Sequence, residues 1–192
     1  MKKTFTSWLL FLFALPAFSQ AVNDFTLKDV VSGNSYTLAQ HQSAAGVVLI
    51  FTTNTCPYSK LYESRIMELA SRFKGQNFTF ALVNPHADAT EGESAAAMAN
   101  ASRSSLGGIP YLHDHSQSLT RALGITRVPN VVVITPSQTG FSIAYQGGID
   151  NNPQLPQSAT QSYLEEALNN IANNKAPDPA STRAVGCNVK GN

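Results

Sequence analysis

The spacing of apolar residues changes period twice in the first half of the chain. Residues 46–52 (GVVLIFT) form an unbroken β-branched and apolar run, the pattern of a central strand covered on both faces. From residue 57 to residue 74 the spacing becomes helical, with Leu61, Ile66, Leu69 and Phe73 predicting one apolar face. Pro57 suits the first turn of that helix, where its missing N–H costs nothing. Residues 78–83 (FTFALV) return to strand character and end at Asn84-Pro85. Upstream, residues 24–27 and 35–38 predict a small hairpin across the Ser32-Gly33-Asn34 turn.

The second half continues the alternation. An Ala-rich helix is expected over residues 92–104, a short extended segment over 109–112, and a short helix over 117–123 that ends at Gly124. Residues 131–135 (VVVIT) read as a second buried strand, paired as a hairpin with residues 141–146. Leu164, Leu168 and Ile171 mark one face of a last helix over residues 161–172. This order predicts one α/β domain over residues 20–174, a mixed sheet flanked by helices with a terminal antiparallel hairpin. Residues 175–192, with Pro177 and Pro179, read as an extended tail.

Composition narrows the class of partner. With 43% hydrophobic and 13% charged residues the chain is globular, and 13 Lys+Arg against 12 Asp+Glu supply no basic field for phosphates, so no nucleic-acid partner is expected. Lys2 and Lys3, the apolar run from Trp8 to Leu15 with Pro16 behind it, and Ala17-Phe18-Ser19 predict a signal peptide over residues 1–19. That run is shorter than the roughly 20 apolar residues of a membrane span, and none elsewhere reaches that length. The expectation is an exported protein, periplasmic or secreted, without a membrane span.

Export changes how the two cysteines are read. Cys56 and Cys187 both reach an oxidising compartment in which a pair persists as a disulfide. Closing a loop of 131 residues would stabilise the fold by about 4 to 5 kcal/mol on chain-entropy grounds. Position points elsewhere, to chemistry. Cys56 sits between the central strand and the helix begun by Pro57, where a thiolate faces unpaired backbone N–H groups and the positive end of the helix dipole. Lys60, one turn on, is a candidate second positive charge, although a lysine so placed is commonly just solvated. Ser59 stands where a Cys-x-x-Cys pair would carry its second thiol, so a resolving thiol must come from Cys187, another protein or a small molecule. His113-Asp114-His115 invites a metal reading, but Asp114 before a short helix is as well read as its cap, and no third ligand is near in sequence. Neither a metal nor another cofactor is expected; His86, following Asn84-Pro85 at a strand end, is positioned to lie near the site, although His41 and His86 both read more readily as surface residues.

These residues resemble the thioredoxin-like superfamily and, within it, the redoxins, the group that includes peroxiredoxins and exported thiol-disulfide oxidoreductases. The resemblance spans residues 22–172. It rests on DFTLKD at 24–29, the central strand followed by TCPYSK at 55–60, IPYLHD at 109–114, LGI at 123–125, Val128-Pro129 before a strand, and residues 145–150. It implies a thioredoxin-like fold in which Pro129 is a cis proline facing Cys56 and residues 84–128 include a redoxin-type insertion. Thr53 occupies the threonine position of the peroxiredoxin pattern, three before the cysteine, whereas Leu49 stands where that pattern has proline. Arg127 is the candidate guanidinium for polarising a peroxide. The ending Gly186-Cys187-Asn188-Val189-Lys190 resembles that of a redoxin-like group pairing a Cys-Pro site with a late cysteine.

Three readings follow. In the first, which uses every unusual feature, the protein is a thiol oxidoreductase: Cys56 is the nucleophile, Cys187 resolves the intermediate, and the partner is a protein or small-molecule thiol or disulfide. In the second, peroxide oxidises Cys56 to a sulfenic acid that Cys187 condenses to a disulfide. In the third, the two cysteines are a permanent staple in a redox-inactive binding module.

Overall fold

The computed structural model describes residues 20–191, so the signal-peptide expectation lies outside the described residues. Within them the order is β1 (Ala21–Val22), β2 (Thr26–Asp29), β3 (Ser35–Thr37), β4 (Gly46–Phe51), α1 (Pro57–Lys74), β5 (Phe78–Asn84), α2 (Ala95–Ser105), β6 (Tyr111–His113), α3 (Ser118–Ala122), β7 (Arg127–Val128), β8 (Asn130–Ser137), β9 (Gly140–Gly147), α4 (Tyr163–Ala172) and β10 (Cys187–Asn188). Eight strands form one sheet in the spatial order β1-β9-β8-β4-β5-β6-β2-β3, while β7 and β10 pair as a separate ribbon. The centre is parallel, β4 with β5 and β5 with β6; β8, β9 and the N-terminal hairpin join antiparallel, which makes the sheet mixed.

All six residues of β4 are buried because the sheet is covered on both faces. Strand alternation sends Val48 and Ile50 to one core and Val47, Leu49 and Phe51 to the other. The first core is closed by Tyr62, Ile66, Leu69 and Phe73 of α1, Leu164, Ala167 and Leu168 of α4, and Met98 of α2. The second is closed by Tyr36, Leu38, Leu119, Leu123 and Val128, includes Cys56, and has Cys187 and Val189 packed against it at partial burial.

Two local readings need correction. Leu61 was expected on the buried face of α1, but it is 43% exposed and Tyr62 is buried in its place. Positions 62, 66, 69 and 73 follow the helical period more closely, and Leu61 falls on the neighbouring stripe. Helix α2 starts three residues later than expected, because Ser94 accepts the Ala97 N–H at 3.3 Å as its N-cap while residues 91–93 form a 3-10 turn. No helix among the described residues is long and apolar enough to cross a membrane.

Candidate functional site

Cys56 is the N-cap residue of α1, in extended conformation with φ −78° and ψ 120°, and Pro57 follows at the first helical position. Its carbonyl accepts the first helical hydrogen bond, from Lys60 N–H at 3.2 Å. The remaining N–H groups of the first turn have no partner within the helix, and that turn carries no acidic side chain. A thiolate at this position is stabilised by those dipoles.

The loop before the cysteine is held from below by a carboxylate. Glu93 is 1% exposed. Its Oε1 accepts the Thr55 N–H at 2.8 Å and the Thr55 hydroxyl at 2.5 Å, and its Oε2 accepts the Asn54 N–H at 3.0 Å and the Asn84 side-chain amide at 2.7 Å. Asn54 is further tied by its amide to Gly92 O and through Oδ1 to the Tyr111 hydroxyl. The segment between β4 and α1 is therefore fixed by side chains as well as by its strand. Buried carboxylates survive only with such partners.

Cys56 and Cys187 are joined in a disulfide with Cα atoms 6.1 Å apart. Cys187 arrives on a strand. Strand β10 pairs antiparallel with β7, Cys187 opposite Val128 and Asn188 opposite Arg127, and Val189 N–H donates to Thr126 O at 2.9 Å. The approach is anchored beside the end of β9: Gln146 N–H donates to Ala180 O, Thr182 N–H donates to Gln146 O, and Thr182 Oγ1 accepts the Gly148 N–H at 3.0 Å. The Thr182 hydroxyl also lies 2.6 Å from the Tyr145 hydroxyl, which donates to Gly148 O; burial pushes the Tyr145 phenol up to about 12. Past the disulfide, Lys190 N–H donates to His86 Nε2 at 2.9 Å and Lys190 O accepts from the Gln117 amide at 2.6 Å.

Next to the disulfide is a cavity of about 460 Å³, lined among others by Thr53, Thr55, His86, Glu93 and both cysteines. Cys56 is 3% exposed, so this space is its approach from solvent.

The expected site residues fall into two groups. Cys56, Cys187, Pro129 and Thr53 converge. The Val128–Pro129 bond is cis, and Val128 O lies 3.5 Å from Cys56 Sγ, a packing contact because the oxidised sulfur carries no proton. Thr53 is buried, its N–H 3.5 Å from the Ser59 hydroxyl oxygen. Lys60 and Arg127 point their charges elsewhere. The Lys60 ammonium pairs with Glu63 at 2.8 Å in solvent, and the Arg127 guanidinium donates to Gly186 O at 3.2 Å. His113 pairs with Asp88 at 2.6 Å and His115 Nδ1 lies 2.8 Å from Ala87 O. Asp114 caps α3 through the Thr120 N–H and hydroxyl. No group of three His, Cys, Asp or Glu side chains converges on a metal position among the described residues.

Sequence reasoning missed Glu93 and Gln117, and gave His86 a place near the site only as the lesser reading. Glu93 stands in an Ala-, Gly- and acid-rich stretch that reads as solvated, and only the tertiary contact reveals its burial. For His86 the signal was position, directly after Asn84-Pro85 at the end of a strand that adjoins the Cys56 strand.

Comparison with known proteins sets this geometry in a family. The family model described as Redoxin matches residues 17–159. A hypothetical protein of Sinorhizobium meliloti superposes with a TM-score of 0.81 at 25% identity, covering 91% of this chain and 94% of its own. An uncharacterized conserved protein of Geobacillus kaustophilus superposes at 0.82 with 22% identity, covering 93% and 94%. An exposed lipoprotein thioredoxin of Streptococcus pneumoniae superposes at 0.53 with 22% identity over 65% of this chain and 87% of its own. No curated protein matches by sequence. The fold is thioredoxin-like.

Proposed function

Because the chain belongs to the redoxin family, we propose that it is an exported thiol-disulfide oxidoreductase with Cys56 and Cys187 as its redox couple. The observation that carries this reading is the Cys56–Cys187 bond itself, which joins the N-cap of a helix to a half-buried strand beside an open cavity. Export is supported by the pattern of residues 1–19 and by a disulfide that an oxidising compartment preserves.

The cycle balances in two exchanges. The Cys56 thiolate attacks a substrate disulfide, forming a mixed disulfide and releasing one substrate thiolate, which takes a proton from solvent. The Cys187 thiolate then attacks Cys56 Sγ, closing the Cys56–Cys187 bond and releasing the second substrate thiolate. The substrate gains two electrons and the protein loses two; an external dithiol or two small thiols restore the reduced pair, and the same steps reversed oxidise a substrate. In this cycle Pro129 and Thr53 position the sulfur, Arg127 holds the tail, and the Lys60 ammonium is paired with Glu63. Peroxide as oxidant has less support. Leu49 is fully buried inside β4, opposite Val132, and Arg127 is committed to Gly186 O.

Thiol trapping of the purified mature protein across a glutathione redox series tests the proposal. A bond that titrates above about −250 mV supports a working couple. A bond still closed below about −300 mV is a staple, and the oxidoreductase reading is then wrong.

A further inference from the structure

Cleavage after Ser19, the position that Ala17-Phe18-Ser19 marks, leaves Gln20 as the first residue of the mature chain. Gln20 is exposed, and its side-chain amide makes no hydrogen bond among the described residues. Its main chain is held instead. Ile143 N–H donates to Gln20 O at 2.9 Å, and Ala21 and Val22 follow as β1, opposite Ser142 and Phe141 of β9. Strand β1 is the outermost strand on that side of the sheet. Gln20 also lines a cavity of about 570 Å³ together with Ile143, Gln146, Ile171 and Lys175, and that lining contains no Asp or Glu. A terminal ammonium at Gln20 therefore has a lysine and no carboxylate as its charged company in that cavity.

We infer that Gln20 is a modification site, where the mature chain closes its own N-terminus as a pyroglutamate lactam, and that this ring guards the edge strand. The inference rests on the export part of the reading above and is independent of the sulfur chemistry. The neutral α-amine freed by cleavage attacks Cδ of the Gln20 side chain. The N–Cδ bond forms, the Cδ–Nε2 bond breaks, and Nε2 leaves as ammonia with the electron pair of that bond and a proton from the amine. Nothing is oxidised or reduced, and no co-reactant is consumed. The lactam is uncharged, so the ammonium beside Lys175 disappears. Its ring restrains φ as a proline ring does, which suits the first position of an edge strand, and Gln20 O stays in place for Ile143 N–H. Guarding matters because β1 is two residues long. Loss of residues 20–22 strips Phe141 and Ser142 of their partner strand and leaves an open edge on β9. An aminopeptidase needs a free α-amine, and the lactam offers none.

The test expresses the full chain with its signal peptide in a secreting bacterium and measures the intact mass of freshly purified protein before any digestion. Fragmentation of the N-terminal peptide then locates the change. The expected species starts at Gln20 and is lighter than the unmodified chain by one ammonia, about 17 Da, and it is at least tenfold more abundant than the free-amine form. A chain that starts at Gln20 with a free amine on most molecules overturns the inference and leaves export intact. A chain that starts elsewhere, or that retains residues 1–19, overturns the inference together with the cleavage site. In every case thiol trapping decides the Cys56–Cys187 couple separately. Gln20→Ser removes the amide that closes the ring. An aminopeptidase is expected to trim that variant through β1 at least tenfold faster than the native chain, read by mass; equal rates overturn the guarding role.

Discussion

The two faces of the sheet are closed by different means. One face is covered by helices α1 and α4, whose buried residues Ile66, Leu164 and Leu168 are continuous with the sheet's own core. The other is covered by the short helix α3, the N-terminal hairpin region and a tail whose attachment includes one covalent bond. Burial on the first face is independent of redox state. On the second face it includes Cys56 itself, so part of the packing is conditional on the disulfide. A protein can thus alter one surface by electron transfer while the opposite core remains intact.

Breaking the permanent face has the largest expected effect. Ile66→Ala leaves a cavity at a residue only 1% exposed and should cost about 2 to 5 kcal/mol. The cost should be the same with and without reductant, measured by denaturant unfolding, since Ile66 belongs to the core on the opposite face of the sheet from the two cysteines.

Cys187→Ser separates the faces. It should cost about 2 to 4 kcal/mol relative to the oxidised protein and almost nothing relative to the reduced one. Hydrogen exchange should speed up at Val189 and Lys190 and remain slow in β4 and β5. Uniform acceleration would mean that the tail supports both cores.

Glu93→Gln probes the loop where the faces meet. The amide retains one oxygen for four donors, and leaving buried donors unsatisfied should cost about 1 to 3 kcal/mol. Faster exchange of the Asn54 and Thr55 amides and altered alkylation of reduced Cys56 would mark the loosening.

The smallest effect concerns His41, which stacks on Tyr36 at the margin of the second face with ring centroids 4.7 Å apart. Burial lowers its pKa from the ordinary 6.5. The unfolded chain therefore takes up the proton first, and stability falls as pH drops below about 6.5. His41→Gln should flatten that part of a curve of urea midpoint against pH.

The sequence made the elements with strong periodicity legible. The β4 run and the Pro57 start of α1 are visible because burial on both faces and a first-turn proline each leave a composition signature. The position of Cys56 between them followed at once. What stayed hidden is two residues long. Strands β1, β7 and β10 have no period to detect, since each exists only because another segment presents its edge. For the same reason Gly186 read as a residue in a tail, when its close approach to Val128 is what lets the last strand dock.

The Thr182 anchor has a kinetic consequence. Its bonds to Gly148, Gln146 and Tyr145 involve no sulfur, so they outlast reduction of the disulfide. Once residues 186–190 also lift off β7, Cys187 hangs from that fixed point by about five residues, a radius of at most about 18 Å. A thiol confined to that sphere sits at an effective concentration on the millimolar scale as seen from Cys56. Ring closure is thereby first order and indifferent to dilution of the protein. In the proposed cycle, only a competing thiol near that concentration would intercept the mixed disulfide before the tail does.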